Sequence, residues 1–213
     1  MPTRSAPAAR KKPQRYHHGD LAVALLRAAE AVLRRDGLEA LTLRAVAREA
    51  GVSHTAPQHH FDDLTGLLSE LAAVGFMRFR DAMLGAAAAA GDDPLTRGRA
   101  LGLAYLDFAR DNPGLFLLMF RSGRIDMRRP ALMAAADAAF TVLANARGVA
   151  APQAMTLPQA ATVTATWAFV HGLAFLSIDR RLTGILHALP PGTTEDDLLT
   201  AVVDGMLARV GRA

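Results

Sequence analysis

The chain has 213 residues, 51% hydrophobic and 21% charged, which excludes a disordered polymer, because only low hydrophobicity with high net charge keeps a chain unfolded. It holds no cysteine, which removes disulfides, thiolate nucleophiles and Cys-based zinc, haem or iron–sulfur sites at once and fits a reducing cytoplasm. Of its net charge of +4, residues 1–60 contribute 10 Lys/Arg against 5 Asp/Glu while the remainder is nearly balanced, so an acidic polymer or plain solvent is expected to meet the N-terminal end.

Residues 1–15 read as a flexible basic arm carrying Arg4, Arg10, Lys11, Lys12 and Arg15; three prolines and no apolar stretch argue against a secretion signal. Asp20 is placed to cap a first helix, with Leu21, Leu25, Ala28 and Val32 on one face, ending near Gly37. Thr42 opens a second helix that stops at Gly51, and Ser53 caps a third. A long helix follows from about Asp63 through the alanine run to Gly91. Asp93-Pro94 starts another as N-cap and first helical residue, and Asn112-Pro113 ends it. Pro113 and Pro130 begin two more, Thr156 with Gln159 forms a capping box for an apolar helix to about Thr183, and Thr194 begins the last, from Glu195 to Arg209. The expected fold is all-α with about nine helices and no sheet. The longest apolar run, Trp167–Ile178, is broken by His171 and falls short of the roughly 18–20 residues a membrane span needs, so no membrane contact is expected.

The densest local signal runs from Thr42 to Phe61. Small Ala47 permits a close helix crossing, Gly51 supplies a permissive turn, and Val46, Ala50, Val52 and Phe61 close a small core. That is the spacing of a helix-turn-helix, although a plain αα-corner uses the same glycine turn. Its third helix would present Ser53, His54, Thr55, Gln58 and His59 outward, polar groups short enough to meet base edges or phosphates in a major groove.

Residues 16–80 resemble the N-terminal domain of TetR-type transcriptional regulators, through Tyr16-His-His-Gly-Asp20-Leu, Gly37-Leu-Glu-Ala-Leu-Thr-Leu-Arg44, Ala47-Arg-Glu-Ala-Gly-Val-Ser53 and Phe61. Trp167-Ala-Phe-Val-His171-Gly172 is similar to a Trp-x-x-x-His-Gly element found in the ligand-binding domain of one subgroup. The resemblance implies a homodimer with a DNA-binding domain over 16–64, a fourth helix from about 63 leading onward, and an effector-binding and dimerisation domain over 65–213. It further implies phosphate contacts from Thr42 and Arg44, base contacts from His54, Thr55 and Gln58, and a backbone contact from His60. Gln58 stands where the family usually has Tyr and Leu64 where it usually has Lys. Both departures remove expected phosphate contacts, so binding is expected either to be weaker or to rely more on the arm.

Five of the seven histidines fall at 17, 18, 54, 59 and 60. No i, i+4 His pair or HExxH motif exists among them, so no metal is expected and the imidazoles read as donors toward a polyanion. Trp167 and His171, four apart, share a helical face, and either line a cavity or sit in the core with their polar tips satisfied. Phe108, Phe116, Met119, Phe120, Met127, Met133 and Phe140 lie on the middle helices and either fill the core or, with adaptable Met walls, shape a pocket for a small apolar effector. No nucleophile elbow, phosphate-cradling glycine loop or carboxylate pair on an apolar face is present, and no cofactor or catalysis is expected. The expected function is a repressor released from a palindromic operator in double-stranded DNA. Its alternative, a helical adaptor that binds only protein, leaves the basic arm and the exposed third helix without a role.

Overall fold

The computed structural model describes residues 18–210, and the basic arm expected at 1–15 lies outside them. Ten α-helices and two single 3-10 turns follow one another, with no strand among the described residues. Helix α1 (His18–Asp36), α2 (Leu43–Ala50) and α3 (Ala56–Phe61) form a small N-terminal unit, and α4 (Leu64–Ala89) runs out of it. Then come α5 (Pro94–Asp111), α6 (Pro113–Arg121), α7 (Pro130–Asn145), α8 (Leu157–Ile178), α9 (Thr183–His187) and α10 (Glu195–Val210). Helix α1 begins ahead of Asp20, which therefore lies within the helix instead of capping it.

Most boundaries follow from capping chemistry. Asp63 and Asp93 accept the backbone N–H groups of Gly66 and Thr96 at 2.7 and 2.8 Å, Pro94, Pro113 and Pro130 occupy first helical positions, and Thr156 with Gln159 completes a reciprocal capping box. The apolar helix expected to reach Thr183 stops at Ile178, where Arg180 turns to a φ of 55° and a separate short helix α9 follows.

Helix α4 holds the molecule together. It packs against α1 and α3 near its start and against α5, α6 and α7 further on, while α5 carries α8 and α10 on its other sides. One continuous core spans both parts, from Leu25, Val32 and Leu41 through Leu67, Leu68 and Leu71 to Phe79, Tyr105 and Phe116. At Gly66 a Cβ would overlap the carbonyl oxygen of Phe61, so α3 and α4 meet at a distance only glycine permits.

Candidate nucleic-acid interface and ligand cavity

Thr42 has extended backbone angles, and its Oγ1 accepts the Ala45 N–H at 3.1 Å, which starts α2 in the open. Arg44, in the first turn, is exposed and makes no ion pair among the described residues. A helix N-terminus and a cation thus stand side by side, a pairing that attracts an anion. Gly51 ends α2 in the left-handed region at φ 67°, with Val52 N–H donating to the Ala47 carbonyl at 3.0 Å, and this closes the helix so the chain can reverse.

Helix α3 starts later than expected. Ser53 accepts the Ala56 N–H through its backbone carbonyl at 3.1 Å, not through its side chain, and His54 and Thr55 occupy a turn ahead of the helix. Pro57 has no N–H to give the Ser53 carbonyl, so a helix begun at Ser53 would lack its first i→i−4 hydrogen bond, which favours this later start. Ser53, His54, Thr55, Gln58 and His59 are all exposed, while Pro57 and Phe61 are buried beneath them. His60 is half-buried, its ring 6.3 Å from that of Phe61. No group of three metal-ligand side chains forms among the described residues. Leu64, where a lysine would carry charge, is half-buried and packs on the core.

The C-terminal part encloses a cavity of about 420 Å3, within the range of roughly 300–1,000 Å3 typical of small-molecule sites. Its walls are Phe76 and Phe79 of α4, Met119 and Phe120 of α6, Ser122, Ile125 and Met127 of the segment after α6, Ala136, Asp137, Ala139, Phe140 and Leu143 of α7, and Trp167 of α8. Of the residues proposed from sequence, Met119, Phe120, Met127, Phe140 and Trp167 line it; Phe108, Phe116, Met133 and His171 do not. Phe116 is fully buried, its ring 4.7 Å from that of Phe120, and Phe108 packs its ring 5.1 Å from Phe79, so both back the wall from behind. Met133, one turn ahead of Ala136 and Asp137 on α7, is 49% exposed and lies outside the cavity lining. Phe76 and Phe79 escaped the sequence reading because nothing in the periodicity of α4 marks which of its many apolar residues border empty space.

His171 belongs to a polar relay behind the aromatic wall. The Trp167 indole N–H donates to the Tyr105 hydroxyl oxygen at 3.3 Å, and Tyr105 O–H lies 2.7 Å from His171 Nδ1. With its oxygen already accepting from Trp167, Tyr105 is placed to donate to an unprotonated Nδ1. Burial holds the His171 pKa below its ordinary value, with the nearby Arg121 guanidinium adding to the effect, and burial pushes the Tyr105 phenol up. Both groups are therefore neutral at neutral pH, with the Tyr105 hydroxyl and His171 Nδ1 partnered to each other.

The segment joining α6 to α7 reaches in two directions. Ser122, Ile125 and Met127 line the cavity. Between them, Arg124 donates from Nη1 to the Leu38 carbonyl at 2.8 Å and from Nη2 to the Leu41 carbonyl at 3.2 Å, immediately ahead of Thr42. The Asp126 N–H donates to Ser69 Oγ on α4 at 2.9 Å, and Arg129 lies 3.8 Å from the Asp62 carboxylate between α3 and α4.

Residues 98–206, half of the chain, match the family model described as tetracyclin repressor-like, C-terminal domain, and residues 25–71 match that of bacterial regulatory proteins, tetR family. Among solved structures, a protein of unknown function from Rhodococcus sp. RHA1 is 32% identical, with a TM-score of 0.74 over 92% of this chain and 98% of that one. A TetR family transcriptional regulator, PfmR, from Thermus thermophilus is 17% identical, with a TM-score of 0.60 over 87% of this chain and 97% of that one. A TetR-like transcriptional regulator from Rhodococcus sp. RHA1, also 17% identical, has a TM-score of 0.60 over 93% and 100% of the two chains. No curated protein matches. Homodimers and bound ligands are typical of the family. With both of its parts matched in order, the chain is a member of the TetR family of transcriptional regulators.

Proposed function

We propose that the protein is a non-catalytic cytoplasmic repressor that holds a palindromic operator in double-stranded DNA as a homodimer and lets go when a small effector enters the cavity. The observation that carries this reading is the segment 122–129, which is at once a wall of the cavity and a brace of the module that would meet DNA. An effector that fits the cavity better in one placement of this segment than in another shifts the population of the two, and so changes how the DNA-contacting helices are set.

Within that module, Thr42 and Arg44 would position the protein on phosphate, His54, Thr55 and Gln58 would face base edges, and Ser53, His59 and His60 would support them at the groove wall. The Gln58 amide can meet adenine N6 and N7 together, a contact worth roughly 1–3 kcal/mol of discrimination. Selection from random duplex DNA tests the reading. A motif with dyad symmetry is the expected result. Gln58→Ala should relax preference at one base pair in each half-site, whereas Arg44→Ala should weaken all sequences alike and lower the slope of log affinity against log salt by about one. No binding to any duplex would instead favour a protein-binding adaptor.

A further inference from the structure

Five aromatic rings border the cavity, those of Phe76, Phe79, Phe120, Phe140 and Trp167. Its polar inventory is short. Trp167 has its one donor committed to Tyr105, and Ser122 Oγ accepts the Arg124 N–H at 3.0 Å. Asp137 is the only ionisable side chain on the wall among the described residues. Its carboxylate makes no ion pair among the described residues, and it is the backbone carbonyl of Asp137 that accepts the Thr141 hydroxyl. Asp137 and Met127 are both exposed as well as lining, so they mark where the cavity opens to solvent.

The arginines from the end of α6 to the start of α7 are engaged elsewhere. Arg121 stands over the Phe175 ring at 4.4 Å and 3.5 Å from Asp179, Arg124 reaches Leu38 and Leu41, Arg128 pairs with Asp126 at 3.0 Å, and Arg129 faces Asp62. None of these partners borders the cavity. An anionic ligand would therefore lose its hydration with no cation to replace it, and would meet Asp137 at the entrance. A positive charge gains twice, from a carboxylate without a partner and from aromatic faces that attract cations.

We propose that the effector is an organic cation, with an apolar body among the aromatic rings and a quaternary or protonated nitrogen at the mouth beside Asp137. This rests on reading the cavity as the effector site. It is tested on the full chain with three matched probes, phenylbutyl-trimethylammonium, its carbon isostere with tert-butyl in place of trimethylammonium, and phenylpentanoate. Trp167, the one tryptophan of the chain, reports occupancy by its fluorescence. The cation should bind about tenfold more tightly than the neutral isostere, lose that advantage as salt rises, and lose it again in Asp137→Asn. The neutral isostere should bind wild type and variant alike, which also shows that the variant is folded. Equal binding of cation and isostere to wild type, preference for phenylpentanoate, or an unchanged cation affinity in Asp137→Asn overturns the cation proposal and leaves the effector cavity standing. No Trp167 response to any of the three overturns both.

Discussion

Among single residues, His171 is the group whose role separated most clearly from its sequence reading. Its spacing from Trp167 places both on one face of α8, yet their surroundings differ: Trp167 borders the cavity, and His171 lies outside the lining with its Nδ1 against the Tyr105 hydroxyl. The partner that divides them, Tyr105, lies 66 residues away from His171 along the chain, a separation no local pattern can bridge. Because the folded protein favours neutral His171, the unfolded chain binds a proton first as pH falls. The stability contributed by the relay is thus complete above the ordinary histidine value of 6.5 and drains away as pH drops through it toward the lowered folded value. His171→Gln retains an acceptor for Tyr105 but cannot titrate. In thermal unfolding the gap between wild type and this variant should narrow steadily from pH 7 to pH 5. A constant gap would mean that His171 titrates alike in both states.

At the scale of elements, the boundaries legible in the sequence were those set within four residues: the Thr42, Asp63 and Asp93 caps, the helix-opening prolines, the Gly51 stop and the Thr156–Gln159 box. Those missed lacked a capping side chain or a glycine at the boundary. Arg180 adopts a left-handed φ without being glycine, so the break between α8 and α9 carried no composition signal, and α3 starts late because a turn at His54 and Thr55 intervenes. The segment 122–129 was equally silent, since its meaning lies in hydrogen bonds that span more than eighty residues. Arg124 is its pivot. Hydrogen bonds from a charged group contribute roughly 1.5–3 kcal/mol each when partly buried, and two of them end on carbonyls next to the start of α2. Coupling between two sites is reciprocal, so operator binding should change the emission of Trp167 on the cavity wall. Arg124→Ala should still bind the operator, with affinity reduced severalfold, yet lose that emission change. An unaltered change in the variant would remove Arg124 from the coupling route and leave α4 to carry it.

The molecule as a whole exposes more apolar surface on α8 than one chain can use. This helix, 22 residues long, is apolar enough to cross a membrane by length and composition, yet only 22% of its most apolar window is buried. Its inner face, Val163, Val170, Ala174 and Ser177, is buried, and α8 packs against α5. On the opposite side Ala161, Ala165, Ala168, Gly172 and Leu176 are exposed in one stripe, and α10 presents Ala201, Gly205 and Ala208 likewise. Small side chains let a second helix approach closely, and a two-fold axis lets each copy cover the other with the same patch. The resulting four-helix contact would also fix the spacing of two copies of α3, so that a symmetric operator follows from the symmetry of the protein. Ala168→Glu tests this without disturbing the helix, because both residues are good helix formers. Sedimentation at micromolar concentration should give a dimer for wild type and a monomer for the variant. The variant should also lose most operator affinity, since each half-site must then be bound independently and the gain from linking the two is lost. A wild-type monomer, or an Ala168→Glu variant that still sediments as a dimer, would place the interface elsewhere and leave the outer face of α8 without a partner.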